Sequence, residues 1–266
     1  MKRSVIFYMF WPFLITLLSV RIWQVCVVID QSGFYLPGYA TLCNRLDLVF
    51  WGVVFALALI ARLALKGGDP APVLKSRGLG IASLVLAVFC IPQALSDYQL
   101  AANQTAMVLG LLPSVLTAVS FVVMGSCQFA GKKIPFGASI LPAASELVRV
   151  IWVYTHFNGI SRISENVVYI LFLVSFVSFC TCHCRVHFES DRRKGMKGCY
   201  AFGICTGVFG LLSTLPHWLF GHNVLPLSFL GMGAAVYAVA FMAVNATDKP
   251  VAEPAVQELA VETVEE

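Results

Sequence analysis

Charge is what this chain has least of. Only 12% of its 266 residues are Asp, Glu, Lys or Arg, against about 25% in an average soluble domain. That density excludes water as the solvent for most of the surface. The chain also has no phosphate-binding Gly-x-x-x-x-Gly-Lys loop, no His-Glu-x-x-His pair and no Gly-x-Ser-x-Gly elbow, so it lacks the motifs of nucleotide-driven, zinc-protease and serine-hydrolase chemistry. Nine cysteines occur without one Cys-x-x-Cys pair. No stretch between the apolar runs is long enough for a soluble catalytic domain, and no enzyme class or cofactor is indicated.

What is present is apolar length. Hydrophobic residues make up 59% of the chain and the mean hydropathy is +0.82. A helix crosses a bilayer in about 20 apolar residues. The runs predict eight spans, at roughly Val5–Ile29, Leu48–Leu65, Gly78–Leu95, Ala106–Ala130, Phe136–Tyr154, Val167–Cys184, Tyr200–Phe220 and Val224–Val244. Continuous runs exclude a membrane barrel, whose strands alternate every second residue. The expected fold class is all-α: a polytopic membrane helix bundle of about eight transmembrane helices.

The positive charges predict its orientation. Lys2, Arg3, Arg62, Lys66, Lys75, Arg77, Lys132, Lys133, Arg185, Arg192, Arg193, Lys194, Lys197 and Lys249, fourteen of the eighteen, fall in gaps that share one side. By the positive-inside rule that side is cytoplasmic, and so are both termini. The net charge of +4 is then spent facing an anionic leaflet and is no sign of nucleic-acid binding. Residues 1–247 read as the transmembrane domain. Residues 248–266 hold six acids against Lys249, which predicts a disordered cytoplasmic tail able to dock a cytoplasmic protein partner.

Landmarks of the first four helices recur in the last four. Arg21-Ile-Trp23 is echoed by Arg149-Val-Ile-Trp152, Arg45-Leu-Asp47 by Arg162-Ile-Ser-Glu165, Pro92 by Pro216, and Leu112-Pro113 by Leu225-Pro226. The second copy is shorter by 11 residues in each outer loop, where deletions are tolerated. This predicts a tandem 4+4 duplication with halves 1–131 and 132–247, in the same orientation.

Ionisable groups inside a membrane are expensive and mark either neutralised pairs or sites. Arg21, Glu146 and Arg149 are the candidates. Glu146 and Arg149 share a helix face at i, i+3. One reading is structural: Arg149 is neutralised by Glu146, and Arg21 reaches outward toward Asp30. The other is a ligand-binding site in which both arginines face a cavity and hold an anionic group through the planar guanidinium fork, with Glu146 as a coupling acid. Cys180, Cys184 and His187 form a stripe at i, i+4, i+7. Thiolates and imidazoles so spaced bind zinc or a soft metal, but cysteine also serves as a small core hydrophobe. Gly203, Gly207 and Gly210 predict close helix packing. The loop Asp30–Asp47 interleaves turn formers with aromatics, as a folded lid or an interfacial belt.

Arg21-Ile-Trp23-Gln24 with Ile29-Asp30 and Gly33-Phe34, and later Arg162-Ile-Ser-Glu165-Asn166, resemble landmarks of a loose group of uncharacterised polytopic membrane proteins of Gram-positive gut bacteria. The resemblance covers about a tenth of the chain. It implies a bacterial plasma membrane and no particular activity. Three functions remain open on the sequence: a small transporter or permease-like protein for an anionic or zwitterionic solute, a membrane sensor that recruits cytoplasmic partners, and a lipid-modifying enzyme.

Overall fold

The computed structural model describes residues 2–30, 35–65, 75–100, 104–156, 164–188, 191–220 and 229–246. Eight helices account for nearly all of them: α1 Arg3–Trp23, α2 Ala40–Ala64, α3 Arg77–Leu100, α4 Gln104–Ala130, α5 Phe136–His156, α6 Ser164–His187, α7 Arg192–Phe220 and α8 Phe229–Val244. The first seven are long and apolar enough to cross a membrane. The eighth is an apolar helix of 16 residues and lies between α3 and α7. The protein is an all-α integral membrane bundle.

Helix ends differ from the hydropathy limits. α2 begins at Ala40 rather than Leu48, and α7 at Arg192 rather than Tyr200. Hydropathy marks where a helix leaves the apolar layer. The backbone ladder continues into the polar zone as long as nothing breaks it. In α2 the break is the turn at Pro37-Gly38, where Gly38 has φ +96°, a region open to glycine. Arg45 and Asp47 are therefore helical residues. Between α6 and α7, Asp191 takes φ +65° and pairs with Lys194 at 2.5 Å; that ammonium holds the exposed carboxyl below the usual carboxylate range.

The packing order explains the core. α3, α4, α5, α6, α7 and α8 each pack on the next, and α8 closes back on α3. The result is a ring of six helices. α1 and α2 stand outside it, both against α7, and do not pack substantially on each other among the described residues. Burial follows: 78% of the apolar window of α7 is buried, against 28% in α1 and 22% in α2. The packing repeats with a three-helix period. α3 meets α4 as extensively as α6 meets α7, α4 meets α5 as α7 meets α8, and α5 meets α6 as α8 meets α3. α2 rests on α7, whereas α3 and α6 form no comparable pair among the described residues. Two of the landmarks, Arg162 and Pro226, lie outside those residues.

Small residues bring the ring together. Gly203 lies beside Met242 and Phe179, Gly207 beside Phe10, and Gly210 against the backbone of Gly231. The α7 glycines thus face three neighbours of the same chain. Pro92, Pro113, Pro142 and Pro216 all sit within continuous helices.

Candidate functional site

The ring interior is layered, and each inward face shows the layering in its sequence. α3 turns Ser83, Leu86, Cys90, Gln93 and Asp97 inward, and α6 turns Tyr169, Phe172, Phe176, Phe179 and His183 inward; all are buried. The three-to-four-residue spacing is that of one helix face. Polar groups occupy both ends of these stripes and apolar groups the middle.

One polar layer is ionic. Arg149 on α5 and Glu146 one turn earlier are completely buried. The Nε of Arg149 donates to Glu146 Oε2 at 2.7 Å. Its Nη1 donates to Asp97 Oδ2 on α3, and its Nη2 donates to Ser114 Oγ on α4. The second carboxylate oxygens are also occupied. Gln93 Nε2 donates to Asp97 Oδ1 at 2.9 Å, and Thr117 Oγ1 donates to Glu146 Oε1 at 2.7 Å. Gln93 then accepts the amide of Leu230, at the start of α8, at 3.1 Å. Tyr169 of α6 lies against the guanidinium. Five helices of the ring therefore meet at one group of three formal charges, two negative and one positive.

The second polar layer lies toward the end of the bundle that carries Arg3, Arg77 and Arg192, hereafter the basic end. Tyr237 Oη is 2.9 Å from His183 Nε2 and accepts from Gln128 Nε2 at 3.5 Å. Ser83 Oγ donates to Gln128 Oε1 at 2.9 Å. Between the two layers Phe121 stacks on Phe176 with ring centres 6.3 Å apart, Phe176 stacks on Phe172 at 5.9 Å, and Phe121 meets Tyr237 edge-on at 4.9 Å. This aromatic partition separates an ionic compartment from a neutral hydrogen-bonded one.

Arg21 belongs to a different cluster. It is buried near the far end of α1, where the helix loosens into a π-helical turn, Gln24–Val28. Such turns recur at functional sites. Arg21 Nη1 donates to Gln24 Oε1 at 3.1 Å and reaches Tyr35 Oη at 3.5 Å. Gln24 Nε2 donates to Asp47 Oδ1 at 2.9 Å, and Tyr35 Oη donates to Asp47 Oδ2 at 2.5 Å. An antiparallel bridge pairs Ile29 with Tyr35 and turns the tyrosine back over the arginine, so this part of the first loop is folded. Tyr35→Phe is expected to lower stability by about 1.5 kcal/mol, the lower end of the net worth of a hydrogen bond to a charged partner. Chemical unfolding of the purified protein in micelles measures it, and an unchanged midpoint would show that the bridge alone holds the loop.

Glu146 and Arg149 are therefore brought together, while Arg21 is placed apart from them. α1 and α5 form no substantial packing pair among the described residues, and the charged neighbours of Arg149 are Glu146 and Asp97. Sequence reasoning missed Asp97, which falls two residues past the expected end of the third span. The available signal was Gln93 and Asp97 at i, i+4 on a face shared with Cys90. Asp47 was missed likewise, as a loop residue. Cys180, Cys184 and His187 do lie on one helix. Among the described residues, however, no three His, Cys, Asp or Glu side chains are placed to hold a metal. His187 instead packs against His183, with ring centres 4.6 Å apart. The side chains of Ser164 and Glu165, the segment 157–163, Asn103, His222 and the acidic tail 248–266 lie outside the described residues.

Fold and site together define the class: a multi-pass helical membrane protein with an ionic triad enclosed in a six-helix ring. Compared with family models, with curated proteins and with solved structures, the chain matches none.

Proposed function

We propose that this protein is a proton- or cation-coupled carrier of a small zwitterionic or anionic solute, and that Asp97, Glu146 and Arg149 are its central site. The observation that supports the reading is the charge imbalance. Two carboxylates and one guanidinium share a compartment closed to water, and each ion left uncompensated in such surroundings costs several kcal/mol. The surplus negative charge is the natural seat of an exchangeable proton or a small cation. A zwitterion complements the triad once it opens. Its carboxylate takes the Arg149 fork, bidentate geometry that a guanidinium favours, and its ammonium takes the carboxylate released. Loading then exchanges ion pairs instead of stripping them. The aromatic partition of Phe121 and Phe176 is the element that must move for a solute to pass from this layer to the basic end.

The basic end is read as cytoplasmic by the positive-inside rule, and the resemblance to gut-bacterial proteins points to a bacterial plasma membrane. Arg21 serves in this reading as a clamp for the first loop.

The test uses proteoliposomes loaded with a pH-sensitive dye and a panel of amino acids and small carboxylates. The expected result is solute-dependent proton movement in the parent that Glu146→Gln abolishes, while solute still raises the unfolding temperature of that variant. A bound ligand stabilises by about 2.7 kcal/mol at a hundredfold excess over its Kd. If no compound moves protons or raises the parent's unfolding temperature, the carrier reading fails.

A further inference from the structure

We propose that the exchangeable ion of this carrier is a proton, that it sits on Oε1 of Glu146, and that the hydroxyls of Thr117 and Ser145 turn to receive it. Its use in transport rests on the carrier reading; the proton site itself rests on hydrogen-bond chemistry. Two carboxylates face one guanidinium, and their oxygens are not alike. Asp97 Oδ2 meets Arg149 Nη1, and Glu146 Oε2 meets Arg149 Nε at 2.7 Å. A guanidinium donates and never accepts. Ser114 Oγ lies 3.5 Å from Asp97 Oδ2, beyond the ordinary O–H···O range. Asp97 Oδ1 meets Gln93 Nε2 at 2.9 Å. That amide is fixed in orientation, because its own Oε1 accepts the backbone N–H of Leu230 at 3.1 Å. At each of these oxygens the near neighbour is an N–H, which offers a proton no acceptor. Glu146 Oε1 differs. Its neighbour at 2.7 Å is the hydroxyl of Thr117, and a hydroxyl donates or accepts according to how it is turned.

That hydroxyl begins a chain. Thr117 Oγ1 lies 3.0 Å from Ser145 Oγ, and either atom can be the donor. Ser145 Oγ in turn reaches the carbonyl oxygen of Pro142 at 3.2 Å. The chain thus runs from a carboxylate oxygen to a carbonyl oxygen, both acceptors, with three contacts and two hydroxyl hydrogens to fill them. A proton on Glu146 Oε1 supplies the third hydrogen: Glu146 donates to Thr117, Thr117 to Ser145 and Ser145 to Pro142. When the proton leaves, Thr117 turns back to donate to the carboxylate. Neither hydroxyl changes its covalent bonds. The net change is one proton gained or lost at Oε1, and with it one formal negative charge of the triad. The groups that face Glu146 are Arg149 on its own helix, Asp97 and Cys90 on α3, and Tyr169 and Cys180 on α6. Arg149 is the single cation among them. It compensates one carboxylate, and the proton removes the charge of the other, which a buried layer cannot leave unbalanced without cost.

Infrared difference spectroscopy tests this on the full chain in nanodiscs, with the side-chain carboxyls of glutamate or of aspartate isotope-labelled in separate preparations. At neutral pH the parent is expected to show the carbonyl stretch of a protonated carboxyl group. The glutamate label should move that band and the aspartate label should not. These labels decide the assignment without any variant, so misfolding of a variant does not mask it. Glu146→Gln should abolish the band. Asp97→Asn should abolish it too, because one carboxylate then remains for one guanidinium. Thr117→Val, which removes the hydroxyl, should shift the band, and Thr117→Ser should return it to the parent position. In dye-loaded proteoliposomes, replacing sodium by choline should leave solute-dependent proton movement unchanged. A band that follows the aspartate label, or no protonated carboxyl at all, overturns the proposal. So does a band that Thr117→Val leaves unmoved, or solute uptake that stops without sodium. The band needs no solute: found on Glu146 while no compound moves protons, it upholds the proton site and the carrier reading alone fails.

Discussion

Arg149→Leu should destabilise the folded protein by about 3–5 kcal/mol, the range for breaking a buried ion pair by removing one partner. The leucine itself is apolar and would pack. The damage comes from what remains: Asp97 and Glu146, both fully buried, now face each other with no cation between them. The same logic predicts rescue. Adding Asp97→Asn and Glu146→Gln to Arg149→Leu removes the stranded charges and should recover part of the loss, because an uncompensated buried charge is what makes breaking such a pair so costly. Asp97→Asn alone should cost less than Arg149→Leu, since it leaves one carboxylate to one guanidinium. Unfolding in bicelles followed by circular dichroism measures all three. A parent-like midpoint for Arg149→Leu would mean that the triad does not tie α3, α4 and α5 together. The triple variant also separates structure from function: it should fold and should move no protons.

Gly231→Ala and Gly210→Ala should each destabilise by about 1–3 kcal/mol, as overpacking does in a close-packed core. A methyl on Gly210 would sit 2.5 Å from the carbonyl oxygen of Gly231, and one on Gly231 would sit 2.5 Å from Thr214 Oγ1 and 2.8 Å from the carbonyl oxygen of Gly210. The obstacles are largely backbone, so α7 and α8 must separate. α8 has nowhere to go, because a methyl on Gly233 would already lie 2.9 Å from the Cα of Leu86 in α3. The double variant should lose less than the sum, because one displacement of α8 relieves both contacts. Gly52→Ala is the counterpart. Its position meets nothing within 4 Å in the middle of α2, so helix propensity should add about 0.5–1 kcal/mol. If Gly231→Ala behaved like Gly52→Ala, the α7–α8 contact would be looser than the backbone approach implies.

Both predictions rest on contacts between helices distant in sequence, and that marks the boundary of what the residues alone disclose. Glu146 and Arg149 were legible as a pair because they are three residues apart on one helix. Asp97 was not, because its partnership depends on α3 and α5 sharing α4 as a neighbour. Arg21 and Arg149 look equivalent as sequence landmarks. The fold separates them, since α1 stands outside the ring and α5 within it.

By itself, the sequence determined the solvent, the helical class and the location of most spans. These depend on sums over about twenty neighbouring residues, and a helix satisfies its backbone hydrogen bonds within its own segment. It also determined that one end of the bundle is basic. Tertiary structure alone decided the ring of six, its three-helix period and the enclosure of two acids with one arginine. In lipid every helix presents an apolar surface, so hydropathy does not rank its possible neighbours. The choice falls to close approach at glycines such as Gly210 and Gly231 and to a few buried polar groups that must find one another.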